Sequence, residues 1–111
     1  TSGAGQRPVP SWGAYCASKA GIDLFAETLH EEIKELGKTT KIYNVAPGVV
    51  DTKMQTNIRG SEDENFSRRQ DFVQLKENNE LYTPEFVANS IFKIDTENQL
   101  ENGDIIDIRH F

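Results

Sequence analysis

Only two runs of this chain, Lys41 to Ala46 and Ile105 to Ile108, read as strands of the buried kind; the rest reads as helix and loop. Two strands do not make an independently stable sheet. Helical sequence around two lone apolar strands reads instead as the last portion of an open parallel sheet, α/β in class, whose other strands lie elsewhere. At 111 residues the chain is long enough for one domain with a core. Yet only 36% of its residues are hydrophobic and its mean hydropathy is -0.61. A complete doubly wound domain offers more runs of Val, Ile and Leu. The expectation is a half-domain that needs its missing part in order to fold.

The longest element is a helix from Trp12 to Leu36, with Ser11 as N-cap and Gly37 as C-terminal stop. Residues four apart on a helix share a face, so the Lys19 ammonium approaches the Tyr15 phenol. An unperturbed phenol has a pKa of about 10. A nearby cation favours the phenolate, and the positive end of the helix dipole acts in the same direction. A phenol tuned in this way protonates a carbonyl oxygen, or takes the proton back in the reverse reaction. Ser2 lies thirteen residues before Tyr15, behind a Gly/Pro-rich loop that can return its hydroxyl to the same substrate oxygen. Tyr-x-x-x-Lys alone is a weak motif, and a Ser in a Gly-rich turn is ordinarily a turn former. Their joint order carries the chemistry.

Asn44-Val45-Ala46-Pro47-Gly48-Val49-Val50-Asp51-Thr52 adds a third landmark to Ser2-Gly3-Ala4-Gly5 and Tyr15-Cys16-Ala17-Ser18-Lys19. Together these resemble the C-terminal half of the short-chain dehydrogenase/reductases, single-domain Rossmann enzymes, over nearly the whole chain. The resemblance implies the C-terminal half of a Rossmann-type doubly wound parallel sheet. Residues 1–111 would be its catalytic portion, with the N-terminal cofactor-binding half absent from the chain. It implies Ser2, Tyr15 and Lys19 as the catalytic set, and Tyr15, Lys19, Pro47, Gly48, Val50 and Thr52 as contacts of a nicotinamide cofactor.

Within the family the resemblance is stronger to the sepiapterin and benzil reductases. It is carried by Trp12-Gly13-Ala14-Tyr15-Cys16, by the run Ala46 to Gln55, and by Gly103-Asp104-Ile105-Ile106-Asp107. From it follow NADP (NADPH) rather than NAD, a small cyclic or aromatic ketone or diketone as substrate, and Ser2, Trp12 and Asp107 as its contacts. Asp107 corresponds to the acidic residue that holds a pterin's amino end, or else it simply caps the last strand. The family's Gly-rich turn, the residue that chooses between NAD and NADP, and the catalytic Asn would all fall upstream. Ser2-Gly3-Ala4-Gly5 lacks the spacing of a Gly-x-Gly-x-x-Gly loop.

A formal net charge of -6 with scattered Lys and Arg argues against nucleic acid, whose phosphates demand basic stripes. Glu62-Asp63-Glu64 lacks His partners and reads as a solvated turn, so no metal site is expected. His30 and His110 read as surface residues. The single Cys16 excludes an internal disulfide, suits a reducing, cytoplasmic compartment, and reads as a small packing residue. No run is long enough to span a membrane.

Along the long helix Ile22, Phe25, Leu29, Ile33 and Leu36 keep the helical period and are expected to press on the sheet. Ala14, Ala17, Gly21, Leu24 and Thr28 form a second face of mostly small residues. In the family resembled, the corresponding helix packs across a subunit interface, which implies a homodimer or homotetramer through the 12–36 helix. Residues 1 to 11, with Pro8 and Pro10, are expected to line the substrate side. Thr52 to Arg59 reads as a short helix with Asp51 as cap and Gly60 as stop. Residues 60 to 80 are polar with Phe66, Phe72, Val73 and Leu75 interspersed, where similar enzymes carry a substrate-covering segment. Thr83-Pro84-Glu85 starts a further helix with Phe86, Val87, Ile91 and Ile94 on its buried face, and Asn102-Gly103-Asp104 turns into the final strand. Two other readings stay open: a 3-ketoacyl-type reductase, and a non-catalytic nucleotide-binding relative or truncated product.

Overall fold

Strands β1 (Asn44–Ala46) and β2 (Ile105–Asp107) pair in parallel in the computed structural model, which describes residues 1–62, 66–97 and 105–110. Asn44 stands opposite Ile105, Val45 opposite Ile106 and Ala46 opposite Asp107. Parallel strands need a long crossover. Among its described residues it carries α2 (Lys53–Arg59), α3 (Arg69–Glu77) and α4 (Pro84–Glu97). Both strands are shorter than the sequence suggests. Lys41 to Tyr43 precede the ladder, and Ile108 leaves it in a 3-10 turn, Ile108–His110.

The core forms where α4 covers this pair. Val87, Ile94, Ile106 and Ile108 make a buried cluster, with Tyr43, Val45, Val50 and Tyr82 packed around it. Val87 and Ile94 are seven residues apart, two helical turns, so they point the same way. Phe86 and Ile91, also expected to be buried, are exposed. Burying one such aliphatic side chain is worth about 1.5–3 kcal/mol, so these anchors hold α4 in place. Thr83 starts the helix as expected, its Oγ1 accepting from the Phe86 N–H at 3.2 Å.

Helix α1 (Gly13–Glu35) matches the expected element to within a residue at each end. Its stop is a Schellman turn: Gly37, at φ 64°, donates to Lys34 O, and Lys38 N donates to Ile33 O. Its start corrects the expectation. Ser11 is in the left-handed region at φ 75°, one residue before the cap position, and Trp12 there supplies no side-chain capping bond.

The inward face of α1 is also different. Ile22, Phe25 and Leu36 are exposed, whereas Asp23 and Ala26 are buried. The helix rests on the 3-10 turn Gly3–Gly5 rather than on the two-stranded sheet. Gly5 explains the choice. A Cβ there would lie 3.0 Å from the Lys19 carbonyl carbon and 2.8 Å from Asp23 Oδ2, so only glycine lets this turn meet that face. Ala14, Ala17, Gly21, Leu24 and Thr28 are exposed.

Asp51 does not cap α2. Thr52 holds the cap position without a side-chain bond, and Asp51 pairs with Lys76 Nζ of α3 at 2.7 Å. Arg69 Nε donates to Arg59 O, so α2 and α3 close as a helical pair. The polar 60–80 stretch therefore contains a genuine helix. His30 is half-buried with its Nδ1 sealed from solvent, a correction to its surface placement, whereas His110 is exposed. Pro8 lines a shallow cleft with Cys16, Ala17 and Ala20, beside a different face of α1 from the one carrying Tyr15 and Lys19. Asn102-Gly103-Asp104, and Asp63-Glu64 of the acidic run, lie outside the described residues. Among the described residues no cluster of three His, Cys, Asp or Glu could hold a metal, and no helix is long and apolar enough to cross a membrane.

Candidate active site

Ser2, Pro47, Gly48 and Asp107 lie at the carboxyl end of the parallel pair, and the turn that follows Ser2 lies on the helix carrying Tyr15 and Lys19. The Thr1 nitrogen donates to Val45 O at 2.8 Å, which sets Ser2 beside the last residues of β1. Ser2 is extended (φ -157°, ψ 154°), and its Oγ accepts from Ala4 N at 3.2 Å as it caps the 3-10 turn. A hydroxyl oxygen that accepts still has its own proton to give. The turn lies on α1, where Tyr15 and Lys19 are half-buried one helical turn apart. Lys19 Nζ stands 5.5 Å from the Tyr15 ring centroid, within cation–π range.

Pro47 and Gly48 leave the end of β1. Gly48 has φ 75°, a left-handed conformation that suits glycine, and a Cβ there would lie 2.7 Å from the Tyr82 ring. Tyr82 then fixes the next residues: its N–H donates to Val49 O and its carbonyl accepts from Asp51 N, both at 2.9 Å, with Val50 bridged to it in parallel. Thr52 follows, exposed. Open α/β sheets bind ligands in the crevice outside the carboxyl ends of their strands. Ser2 and the run from Pro47 to Thr52 occupy that place.

An aromatic wall stands beside Tyr15. Trp12 meets it edge-on at 5.3 Å and 70°, stacks on Phe66 at 4.9 Å and 13°, and touches Phe72 at 5.5 Å. Phe66 is only 4% exposed although it lies in the most polar stretch of the chain. Sequence reasoning put Phe66 and Phe72 in a covering segment without naming them as site residues. Two aromatics in an otherwise polar run were the signal.

Asp107, opposite Ala46, reaches the same end of the sheet, but Arg109 engages both of its carboxylate oxygens. Arg109 N and Nε donate to Oδ1 at 2.9 Å each, Nε also reaches Oδ2 at 3.1 Å, and Nη2 donates to Oδ2. The guanidinium holds the Asp107 carboxyl down at about 2, and the carboxylate in turn raises the Arg109 pKa.

The family model for short chain dehydrogenases matches residues 1–63. The chain is 41% identical over 108 residues to a benzil reductase ((S)-benzoin forming) of Bacillus cereus, covering 97% of this chain and 43% of that protein. The chain belongs to the short-chain dehydrogenase family. A benzil reductase ((S)-benzoin forming) of Bacillus subtilis is 39% identical over all of this chain and 45% of its own length. A sepiapterin reductase of Xenopus tropicalis is 28% identical over 91% of this chain and 37% of its own length. Among solved structures, the crystal structure of the KRED1-Pglu enzyme superposes with a TM-score of 0.82 at 32% identity, over 96% of this chain and 44% of that one. The chain thus spans less than half the length of the benzil reductases it matches.

For a short-chain dehydrogenase the implied ligand is a nicotinamide cofactor, and the residues present fit its nicotinamide end. The Thr52 hydroxyl makes no capping bond, and Lys19 has no ion pair among the described residues. Gly48 presents main chain without a side chain in a run held rigid from behind by Tyr82. Backbone, hydroxyl and ammonium are the groups that a carboxamide, a phosphate and a ribose accept.

Proposed function

We propose that the protein containing this chain is an NADPH-dependent carbonyl reductase for small cyclic or aromatic ketones and diketones. The supporting observation is that Lys19 stands over the Tyr15 ring on the helix that the Ser2 turn contacts, with the aromatic wall beside Tyr15. Bound reduced nicotinamide supplies the hydride. Tyr15 donates the phenolic proton to the carbonyl oxygen. Lys19, above the ring, stabilises the phenolate left behind and holds the cofactor ribose. Ser2 gives its free proton as a hydrogen bond to the same oxygen, aligning and polarising it. Pro47, Gly48, Val50 and Thr52 orient the nicotinamide. NADPH rather than NADH rests on the likeness to the sepiapterin and benzil reductases.

Trp12 and Phe72, with the buried Phe66 stacked against Trp12, favour a flat aromatic substrate over an acyl chain, because a ring gains from stacking where a flexible chain does not. Asp107 is the further substrate contact by resemblance. Its acceptors are taken by Arg109, so a pterin's amino edge must displace the guanidinium first, which favours a plain diketone. The exposed face Ala14, Ala17, Gly21, Leu24 and Thr28 suits a second copy in a homodimer or homotetramer. Tyr15→Phe in the full-length protein tests the reading. Turnover of benzil should fall by roughly 10²–10⁴-fold while NADPH affinity stays within about twofold. Near-normal turnover would exclude Tyr15 as the proton donor.

A further inference from the structure

Asp23 is only 7% exposed, yet it sits on a helix whose Ile22, Leu24 and Phe25 face solvent. A buried carboxylate is costly unless it is bonded, so its place in the structure calls for a physical reason. Tyr15, Lys19 and Asp23 are spaced four apart and lie along one face of α1, with Asp23 one turn beyond Lys19. The Thr1 hydroxyl donates to Asp23 Oδ1. Oδ2 faces Gly5 and has no hydrogen-bond partner among the described residues. The Thr1 nitrogen meanwhile bonds Val45 O of β1. Thr1 is therefore pinned to the sheet through its main chain and to the catalytic helix through its side chain, and Ser2 is the next residue.

We propose that Thr1 and Asp23 are a positioning pair that sets the Ser2 hydroxyl against Tyr15 and Lys19. The inference rests on the catalytic reading of those three residues. The Ser2 hydroxyl spends its acceptor on Ala4 N within its own turn, and among the described residues it makes no hydrogen bond to α1. Gly5 completes the contact, because any side chain there would push the turn off Lys19 and Asp23. Without the Thr1 hydroxyl the turn loses its side-chain tie to α1, so its own hydrogen bonds open more often and its position over the helix is no longer fixed. Misplacement of a catalytic group by about 1 Å can cost on the order of 10²-fold in rate.

The test uses the full-length protein with benzil and NADPH. Thr1→Val removes the donor at nearly constant volume, and Thr1→Ser restores it. Thr1→Val should lower kcat by roughly 10–100-fold with the KM for NADPH unchanged, and Thr1→Ser should stay within about threefold of wild type. In a Ser2→Ala background, Thr1→Val should cost almost nothing more, since its effect passes through the Ser2 hydroxyl. Asp23→Asn, which keeps the acceptor, should be mild where Asp23→Ala is severe. Independently of activity, Thr1→Val should speed amide exchange at Ala4 and Gly5, whose N–H groups bond Ser2. Unchanged kcat in Thr1→Val, or full additivity with Ser2→Ala, would overturn the proposal. Should Ser2→Ala and Tyr15→Phe both retain normal turnover, the catalytic reading itself fails, whereas unchanged amide exchange in Thr1→Val would sink the positioning pair alone.

Discussion

At the scale of single residues, the contrast between Asp23 and Asp107 shows how two carboxylates on one chain take different work. Asp23 is buried against a turn, whereas Asp107 is held by a half-exposed arginine two residues away. The Asp107 pKa is depressed to about 2, against an unfolded value of about 3.9. A depressed carboxylate contributes stability that is present above the unfolded value and is lost as pH falls through the folded one. The contribution should therefore be complete above about pH 4 and gone near pH 2. Arg109 is 47% exposed, so solvent screening limits it to about 1 kcal/mol. In the full-length protein, Arg109→Met should lower the urea midpoint at pH 7, and its difference from wild type should close on acidification to pH 2. If Asp107 serves this clamp rather than the substrate, Asp107→Asn will leave the KM for a pterin ketone within about twofold. A strong rise in that KM would return Asp107 to the pocket.

At the scale of elements, the aromatic wall ties α3 and its leading segment to α1. Phe66 stacks on Trp12 and is nearly fully buried. Phe66→Ala should cost about 3–5 kcal/mol by cavity formation, read by urea denaturation. It should also raise the KM for an aromatic diketone more than that for a small aliphatic ketone. Trp12 is the chain's one tryptophan, so its emission reports whether the stack has opened. Equal KM changes for the two substrates would make the wall a packing feature only. These elements differ in how far the sequence disclosed them. Helix α1, its Gly37 stop and the Thr83 cap follow from short-range chemistry, and their residues stated it. Ser11 and Asp51 are equally good caps by type, but a left-handed backbone displaces one and Lys76 captures the other. The apolar period through Ile22, Phe25 and Leu36 misled because close approach of Gly5 to Lys19 and Asp23 chose the inward face. The Ser2, Tyr15 and Lys19 order was legible because it is a spacing, whereas the Asp107–Arg109 clamp and the Phe66 stack depend on side-chain positions no spacing states.

For the whole molecule, a folded monomer of 12.5 kDa should expose about 6,200 Å², yet this chain exposes 7543 Å². Its radius of gyration is 16.0 Å, where about 13 Å is usual for this length. The excess coincides with large apolar residues in the open, among them Leu24, Phe25, Leu36 and Phe92 at 64–70% exposure. A two-stranded sheet cannot cover them, and the buried cluster around Ile94 is small. These 111 residues expressed alone should therefore lack a cooperative unfolding transition, and should aggregate or bind a dye for exposed apolar surface. Adding the preceding half of a full-length relative in trans should restore a sigmoidal melt if chain packing covers that surface. A melt that sharpens with concentration of the fragment alone would instead assign the cover to a second copy. A soluble monomer with a sharp, concentration-independent transition would show that the core around Val87, Ile94, Ile106 and Ile108 suffices, and that the exposed face of α1 costs the fold little.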